Sequence, residues 1–284
     1  MDLIHLKDIA VHAALAAGQL IKQYVGVEIL VNKKIGSSSY AAQVVTEVDL
    51  KCEELIRAHL KVVSEKYDLA ILSEETTDDG SRHMKDYFWC IDPMDGTLPF
   101  IDKRPGYSVS IALVARDGTP HLGVVYDPTT DTTYHAVKGL GAFKNDQPWM
   151  IQHSHNFLTY VTDKRLSETS NVQVIQERLN YYLNELGIER VEEKSGGGSV
   201  MNGIYVLENG PACMIKLPKT ERGGGSLWDF AAVACIYHEL GLPATNYLEG
   251  RLDLNRPDSS YMNHQGILFS NLYNDRRVND TNIP

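Results

Sequence analysis

Tyr87-Phe88-Trp89-Cys90-Ile91-Asp92-Pro93-Met94-Asp95-Gly96-Thr97 is an apolar run that ends in two carboxylates three residues apart. The run from Tyr87 to Ile91 has the aromatic and β-branched character of a strand. The segment from Asp92 to Gly96 has two readings. Asp-Pro and Asp-Gly both favour turns, and a strand has to turn somewhere. Alternatively, Asp92 and Asp95 are delivered together to a site at the strand's end.

Downstream, the period of two continues through Tyr107–Ala115, His121–Asp127 and Thr133–Val137. Asp117-Gly118-Thr119-Pro120 and Asp127-Pro128-Thr129-Thr130 separate these runs, which predicts an antiparallel meander between Tyr87 and Phe143. Upstream, Leu6, Ile9, Ala10, Ala13, Leu20 and Ile21 recur at helical spacing, so Leu3–Tyr24 is expected to be an amphipathic helix. A polar stretch from Lys33 to Tyr40 is expected to be a surface loop, and a second helix to run from about Asp49 to Val63. The first half therefore reads as α+β.

From Phe157 onward strands and helices alternate: a strand at 157–162, a helix from Glu168 to Leu186, a strand near Ile188 and a helix after Gly198. A strand at 212–217, a helix from Trp228 to Leu240 and a strand at 266–270 complete the series. That alternation predicts an α/β second half. The expected domains are residues 1–150 and 151–284, with any functional site expected at their junction.

The rest of the acidic inventory bears on the two readings of Asp92 and Asp95. Glu74-Glu75 follows the apolar run Leu69–Leu72 and Ser73, and Glu47-Val48-Asp49 follows Val44-Val45-Thr46. Carboxylates gathered at strand ends repel one another unless cations are present. Hard oxygen ligands in such number suit Mg²⁺ or Mn²⁺ rather than zinc. Sites of this kind serve phosphoryl chemistry, where metal ions stabilise the attacking and leaving oxygens, so a phosphate ester is the expected substrate.

These residues carry a resemblance. Thr46-Glu47-Val48-Asp49, Glu74-Glu75, Asp92-Pro93-Met94-Asp95-Gly96-Thr97 and Trp228-Asp229-Phe230-Ala231-Ala232, in that order, resemble the inositol monophosphatase superfamily of Mg²⁺-dependent, lithium-sensitive phosphatases. The resemblance implies a layered αβαβα sandwich. It implies that Glu74, Asp92 and the Met94 carbonyl hold one Mg²⁺, that Asp92, Asp95 and Asp229 hold a second, and that a third ion can sit near Glu74. By the same resemblance Asp49 orients Thr97, whose hydroxyl aims or deprotonates the attacking water, and the amides of Gly96 and Thr97 hold the phosphate. Glu74 is then catalytic as well as a ligand, and Gly198 and Ser199 stand where the family has a loop that touches substrate.

Several of these residues have a plainer reading too. Ser226 and Asp229 stand at the spacing of a helix capping box, which stabilises a helix start whether or not a metal binds. Lys216, Lys219 and Arg222 are either a solvated basic face or the partners of a second phosphate on the substrate. In inositol monophosphatases a carboxylate stands about seven residues before the last aspartate; here Arg222 does. On that point the chain resembles bacterial 3′(2′),5′-bisphosphate nucleotidases more closely. It departs from their pattern in Gln43-Val44-Val45-Thr46 and in Leu98-Pro99 after the Asp-Gly-Thr. The expected activity is removal of the 3′-phosphate from a nucleoside 3′,5′-bisphosphate. Inositol monophosphate, then fructose 1,6-bisphosphate, are the alternative substrates, and a phosphate-binding regulator without turnover is the alternative class.

Composition narrows the partners. The 284 residues carry a net charge of −10, which repels nucleic-acid polymers and anionic bilayers. Hydrophobic residues at 43% and charged residues at 23% are those of an ordinary folded protein. No apolar stretch approaches the roughly 18 residues of a membrane span. Cys52, Cys90, Cys213 and Cys235 lie far apart in apolar runs and are expected to be buried free thiols in a cytoplasmic protein. His153-Ser154-His155 is expected to be a surface connection.

Overall fold

The computed structural model describes residues 1–27, 31–33, 44–152, 155–169 and 171–272. Helix α1 (Leu3–Tyr24) has the bounds its apolar stripe predicts. Asp2 caps it by accepting from the His5 N–H at 3.0 Å. A ribbon of β1 (Val31–Lys33) and β2 (Val44–Thr46) leads into α2 (Glu47–Tyr67), which is longer at both ends than the sequence predicts. The predicted loop residues 34–40 lie outside the described residues, as do His153 and Ser154.

A seven-stranded sheet comes next, built from β3 (Ala70–Ser73), β4 (Tyr87–Asp95), β5 (Ser108–Ala115), β6 (Pro120–Asp127), β7 (Thr132–Val137), β8 (Gly141–Lys144) and β9 (Gln147–Pro148) in sequential order. From β4 to β9 every neighbour is antiparallel, the meander expected from the alternation; only β3 runs parallel to β4. A five-residue helix, α3 (Thr97–Ile101), interrupts the chain between β4 and β5. Its single turn is too short to leave a periodic signal.

The second half forms a five-stranded sheet in the order β11-β10-β12-β14-β13. Its elements are β10 (Leu158–Thr162), α4 (Val172–Leu186), β11 (Val191–Ser195), α5 (Ser199–Glu208), β12 (Ala212–Lys216), α6 (Leu227–Glu239), β13 (Ala244–Thr245) and β14 (Ile267–Ser270). The strand expected near Ile188 is β11 at Val191–Ser195. Its Val-Glu-Glu-Lys-Ser sequence shows no apolar alternation because it is an edge strand with mostly exposed side chains. Helix α4 starts at Val172 rather than Glu168, after a single 3₁₀ turn at Leu166–Glu168.

Strand alternation assigns the layers. Trp89, Ile91, Val109, Ile111, Leu122 and Val124 pack with Leu6, Ala10, Ala13, Cys52 and Ile56 of α1 and α2. Phe88, Cys90, Ala112, Val114 and Val125 project from the opposite face onto α6 and α5, which in turn meet Met214 and Phe269 of the second sheet. Leu158, Tyr160, Cys213 and Ile215 cover that sheet's far face with Ile175 and Leu179 of α4. The result is helix, sheet, helix, sheet, helix: the αβαβα sandwich. Strands buried on both faces read as continuous apolar runs, which is why β4 and β5 are so legible.

The four cysteines are free and buried, and burial pushes the Cys52 and Cys213 thiols up to about 12. Among the described residues no helix is long and apolar enough to cross a membrane.

Helix α6 approaches β6 so closely that a Cβ on Gly123 would lie 2.3 Å from the Ala232 carbonyl oxygen. Backbone cannot yield as a side chain can. Gly123→Ala is therefore expected to cost about 1–3 kcal/mol, the range for overpacking a well-filled core. Urea unfolding checks this, and an unchanged midpoint would mean that α6 does not bear on β6 as described.

Candidate active site

Asp92 and Asp95 come to the same point because Pro93 has no N–H to give the ladder. Asp92 pairs with Ser110 and Asp95 with Ser108, so β4 spends three residues where β5 spends two. This bulge turns both carboxylates to one end of the sheet. Asp92 is 1% exposed and accepts the Met94 N–H at 3.0 Å. Strand β3, being parallel to β4, ends at the same edge, and the Glu74 N–H donates to the Ile91 carbonyl at 3.2 Å. Glu74 is therefore a neighbour of Asp92 by topology rather than by sequence.

Three helices begin here. At α5, the Ser199 and Val200 N–H groups donate to Asp95 Oδ1 and Oδ2 at 3.0 and 2.9 Å. Gly198 permits this, since a Cβ there would fall 2.2 Å from Asp95 Oδ2. At α6, the Ser226 N–H donates to Asp229 Oδ2 at 2.5 Å, completing the predicted capping box. At α2, Asp49, 2% exposed, accepts the Thr97 hydroxyl at 3.3 Å, and Thr97 Oγ1 also lies 3.5 Å from the Met94 carbonyl. Gly96 precedes Thr97 with φ of 87°, a left-handed conformation that glycine adopts without strain.

One carboxylate oxygen from each of Asp92, Asp95 and Asp229 lies within 4.8 Å of the others. Asp229 comes from α6, in the other half of the chain, and does two things at once: it caps the helix, and its carboxylate lies with those of Asp92 and Asp95. Glu74 is not one of the three, yet its charge raises the pKa of both Asp95 and Asp229. Burial is the larger cause in each case. It lifts Asp95 well above the usual carboxylate range and Asp229 to about 7. Two ionised carboxylates at 4.8 Å repel by about 3.5 kcal/mol at an effective dielectric of ~20, and three such pairs need a cation. The donor set of carboxylate oxygens fits a hard divalent ion such as Mg²⁺.

The predicted substrate residues separate. Lys216, at the end of β12, is directed at the cluster: its ammonium is 3.2 Å from Ser199 Oγ, pairs with Asp163, and draws the Asp229 pKa down. Lys219 lines a neighbouring cleft that Lys216 also borders, and Arg222 is exposed on the connection to α6. Sequence reasoning missed Asp163, the last residue before the turn after β10, together with Asn202, fully buried on α5, whose Nδ2 donates to Asp163 Oδ1 at 2.8 Å. It also missed Arg104, which donates to the Gly196 carbonyl at 2.7 Å and ties the loop after α3 to the start of α5. An isolated Asp or Arg in a loop carries no spacing signal; only the packing of distant segments identifies them.

Raised carboxylate pKa values have a definite sign in stability. Asp229 binds a proton more tightly folded than unfolded, where its pKa is about 3.9. The contribution is thus present below about pH 4 and lost as pH rises through about 7. In excess chelator, Tm is expected to fall from about pH 5 to about pH 8, and millimolar Mg²⁺ to restore it most at the upper end. A Mg²⁺-induced rise in Tm that is equal at both pH values would rule out charge relief at this cluster.

The whole chain has relatives of the same kind. A model of the inositol monophosphatase family matches residues 2–280. Inositol monophosphatase 2 of Mus musculus is 27% identical over 254 residues, covering 87% of this chain and 81% of that protein. Nus factor SuhB of Pasteurella multocida is 35% identical over 239 residues, 82% of each. The solved structure of the Thermotoga maritima IMPase superposes with a TM-score of 0.69 at 22% identity, covering 95% of this chain and 92% of that one. That likeness is one of fold, and with the family match over nearly every residue it closes the question of kinship: the chain belongs to the inositol monophosphatase family, whose members are metal-dependent phosphatases.

Proposed function

We propose that this protein is a Mg²⁺-dependent phosphomonoesterase that removes the 3′-phosphate of nucleoside 3′,5′-bisphosphates in the cytoplasm. The observation that carries the phosphatase chemistry is the cluster of Asp92, Asp95 and Asp229, buried and mutually repulsive without a cation. In this reading Glu74, the Met94 carbonyl and the three aspartates hold two or three ions. Bound Mg²⁺ would act as a Lewis acid, lowering the pKa of a water and balancing charge on the leaving oxygen.

The chain's own groups do the rest. The Thr97 hydroxyl has its proton committed to buried Asp49 and its lone pairs available to accept from the attacking water. The Gly96 and Thr97 amides take the phosphate, and the start of α5 at Gly198 and Ser199 closes the side formed by Asp95. Residues 1–150 and 151–284 each contribute carboxylates, so the site lies at the junction of the two halves.

The substrate preference rests on cations. Lys216 beside the cluster, with Lys219 and Arg222 along the same connection, suits a second phosphate better than neutral hydroxyls, since ammonium and guanidinium groups only donate hydrogen bonds. Inositol monophosphate is the second reading, favoured by the name of the murine relative. A regulator without turnover is less well supported, because Asp49, Glu74, Asp92, Asp95, Thr97 and Asp229 are all present.

Phosphate release from a nucleoside 3′,5′-bisphosphate, inositol 1-phosphate and fructose 1,6-bisphosphate, with and without Mg²⁺, tests the reading. The bisphosphate is expected to have the highest kcat/KM, chelator to abolish turnover, and LiCl to inhibit where KCl at equal ionic strength does not. A higher kcat/KM for inositol 1-phosphate would transfer the assignment to that substrate. Thr97→Ala and Asp49→Asn are each expected to lower kcat by roughly 10²–10⁴-fold with little change in KM. Their double variant should be no slower than the worse single one; additive losses would separate the two residues.

A further inference from the structure

Helix α5 starts without a side-chain cap of its own. The first N–H groups of a helix have no partner inside it and must find one elsewhere. Here the partners come from the first half of the chain. The Gly198 N–H donates to the Gly106 carbonyl at 2.7 Å, and the Ser199 and Val200 N–H groups donate to Asp95 Oδ1 and Oδ2 at 3.0 and 2.9 Å. Both oxygens of Asp95 are thus tied to the place where α5 begins.

The loop that meets this helix start stands on a fixed base. Phe100 and Tyr107 are buried and meet edge to face with ring centroids 5.4 Å apart, which closes the two ends of residues 101–106. Beyond that base three stretches of backbone lie in contact. A Cβ on Gly96 would fall 2.5 Å from the Gly106 carbonyl oxygen, and one on Gly106 would fall 2.7 Å from Gly197 Cα. The turn before Thr97, the loop and the approach to α5 therefore stack with no side chain between them.

Such contact limits how near the loop and the helix start can come; it does not stop them from parting. One side chain resists that. Arg104 Nη1 donates to the Gly196 carbonyl at 2.7 Å, while its Nε donates to Asp102 Oδ2 at 3.2 Å and so fixes the plane of the guanidinium. The Arg104 backbone is held in turn, its N–H donating to the Pro99 carbonyl at 3.0 Å. A charged donor makes the stronger kind of hydrogen bond, and this one joins residues 92 positions apart.

We propose that Arg104 is a positioning residue for the metal centre. By holding the Gly196 carbonyl it keeps the start of α5 against Asp95, so that the lone pairs not taken by Ser199 and Val200 stay turned to the cluster with Asp92 and Asp229. The proposal rests on the metal-dependent phosphatase reading above and adds a residue that acts on it through α5.

The first measurement is amide hydrogen exchange of the full chain in excess chelator, comparing the wild type with Arg104→Met, which keeps a long unbranched stem and removes the donors. Exchange at Gly198, Ser199 and Val200 is expected to quicken by about tenfold or more, with β12 and the middle of α6 unchanged, which also reports an intact fold. Calorimetric titration with Mg²⁺ should give a roughly tenfold weaker affinity for the methionine variant, the usual size of an effect that reaches a metal through its ligand's support. Arg104→Lys, which keeps a cationic donor, should recover most of that loss. On whichever phosphate ester of the comparison above is hydrolysed, at a fixed Mg²⁺ concentration, Arg104→Met should lower kcat and leave KM within about twofold. Unchanged exchange at the three amides, quickening spread evenly over the fold, unchanged Mg²⁺ affinity, a rise confined to KM, or a lysine variant no better than methionine would each overturn the proposal. Lack of turnover by the wild type on every ester would count against the phosphatase reading instead, with exchange and titration still deciding the role of Arg104.

Discussion

The mutual repulsion of Asp92, Asp95 and Asp229 is the constraint around which the rest of the molecule is arranged. With oxygens within 4.8 Å of one another, burial and mutual repulsion raise the pKa of Asp95 and of Asp229. The fold brings compensating partial charges to them. Two N–H groups from the first turn of α5 reach Asp95, and the Ser226 N–H reaches Asp229 at the start of α6. Helix N-termini are suited to this because their first N–H groups lack partners within the helix and the macrodipole favours negative charge. The compensation is partial, as the raised pKa of Asp229 shows, and a divalent cation held by these carboxylates would supply the remainder.

The layers arise from the need to hold those helix starts in place. Helix α6 is buried on nearly all sides, pressed between the two sheets, with Gly123 on one side allowing backbone contact and Phe269 on the other packing against Phe230 and Tyr237. A shift of α6 would move Asp229 with it. The same rigidity explains why the cluster is shared between halves of the chain: β4 supplies two carboxylates and α6 the third, so neither half can complete the set alone.

Glycine sets the tolerances at the site itself. Gly198 lets the α5 backbone approach Asp95 to hydrogen-bonding distance, where any side chain would displace the carboxylate. Two short triplets of glycine followed by serine, which could pass for linkers, are instead places where backbone meets carboxylate. Ser199 N–H serves Asp95, and Ser226 N–H serves Asp229.

The sequence by itself determined the strands buried on both faces, the amphipathic α1 and the carboxylates at strand ends, because burial imposes period and composition directly on neighbouring residues. The motifs at Asp49, Asp92–Thr97 and Asp229 were legible for the same reason: each packs several chemical requirements into a few consecutive positions. It did not determine where β11 lies, at Val191–Ser195 rather than near Ile188, because an exposed edge leaves no apolar pattern, nor Asp163, Asn202 and Arg104, which matter through partners 39 to 92 residues away. Nor could spacing distinguish Lys216 from Arg222. Only the tertiary structure decided that, by ending β12 so that one ammonium faces the cluster while the guanidinium lies on the exposed approach to α6. Pattern records what a residue's own element requires; contact between elements distant in the chain is recorded in coordinates alone.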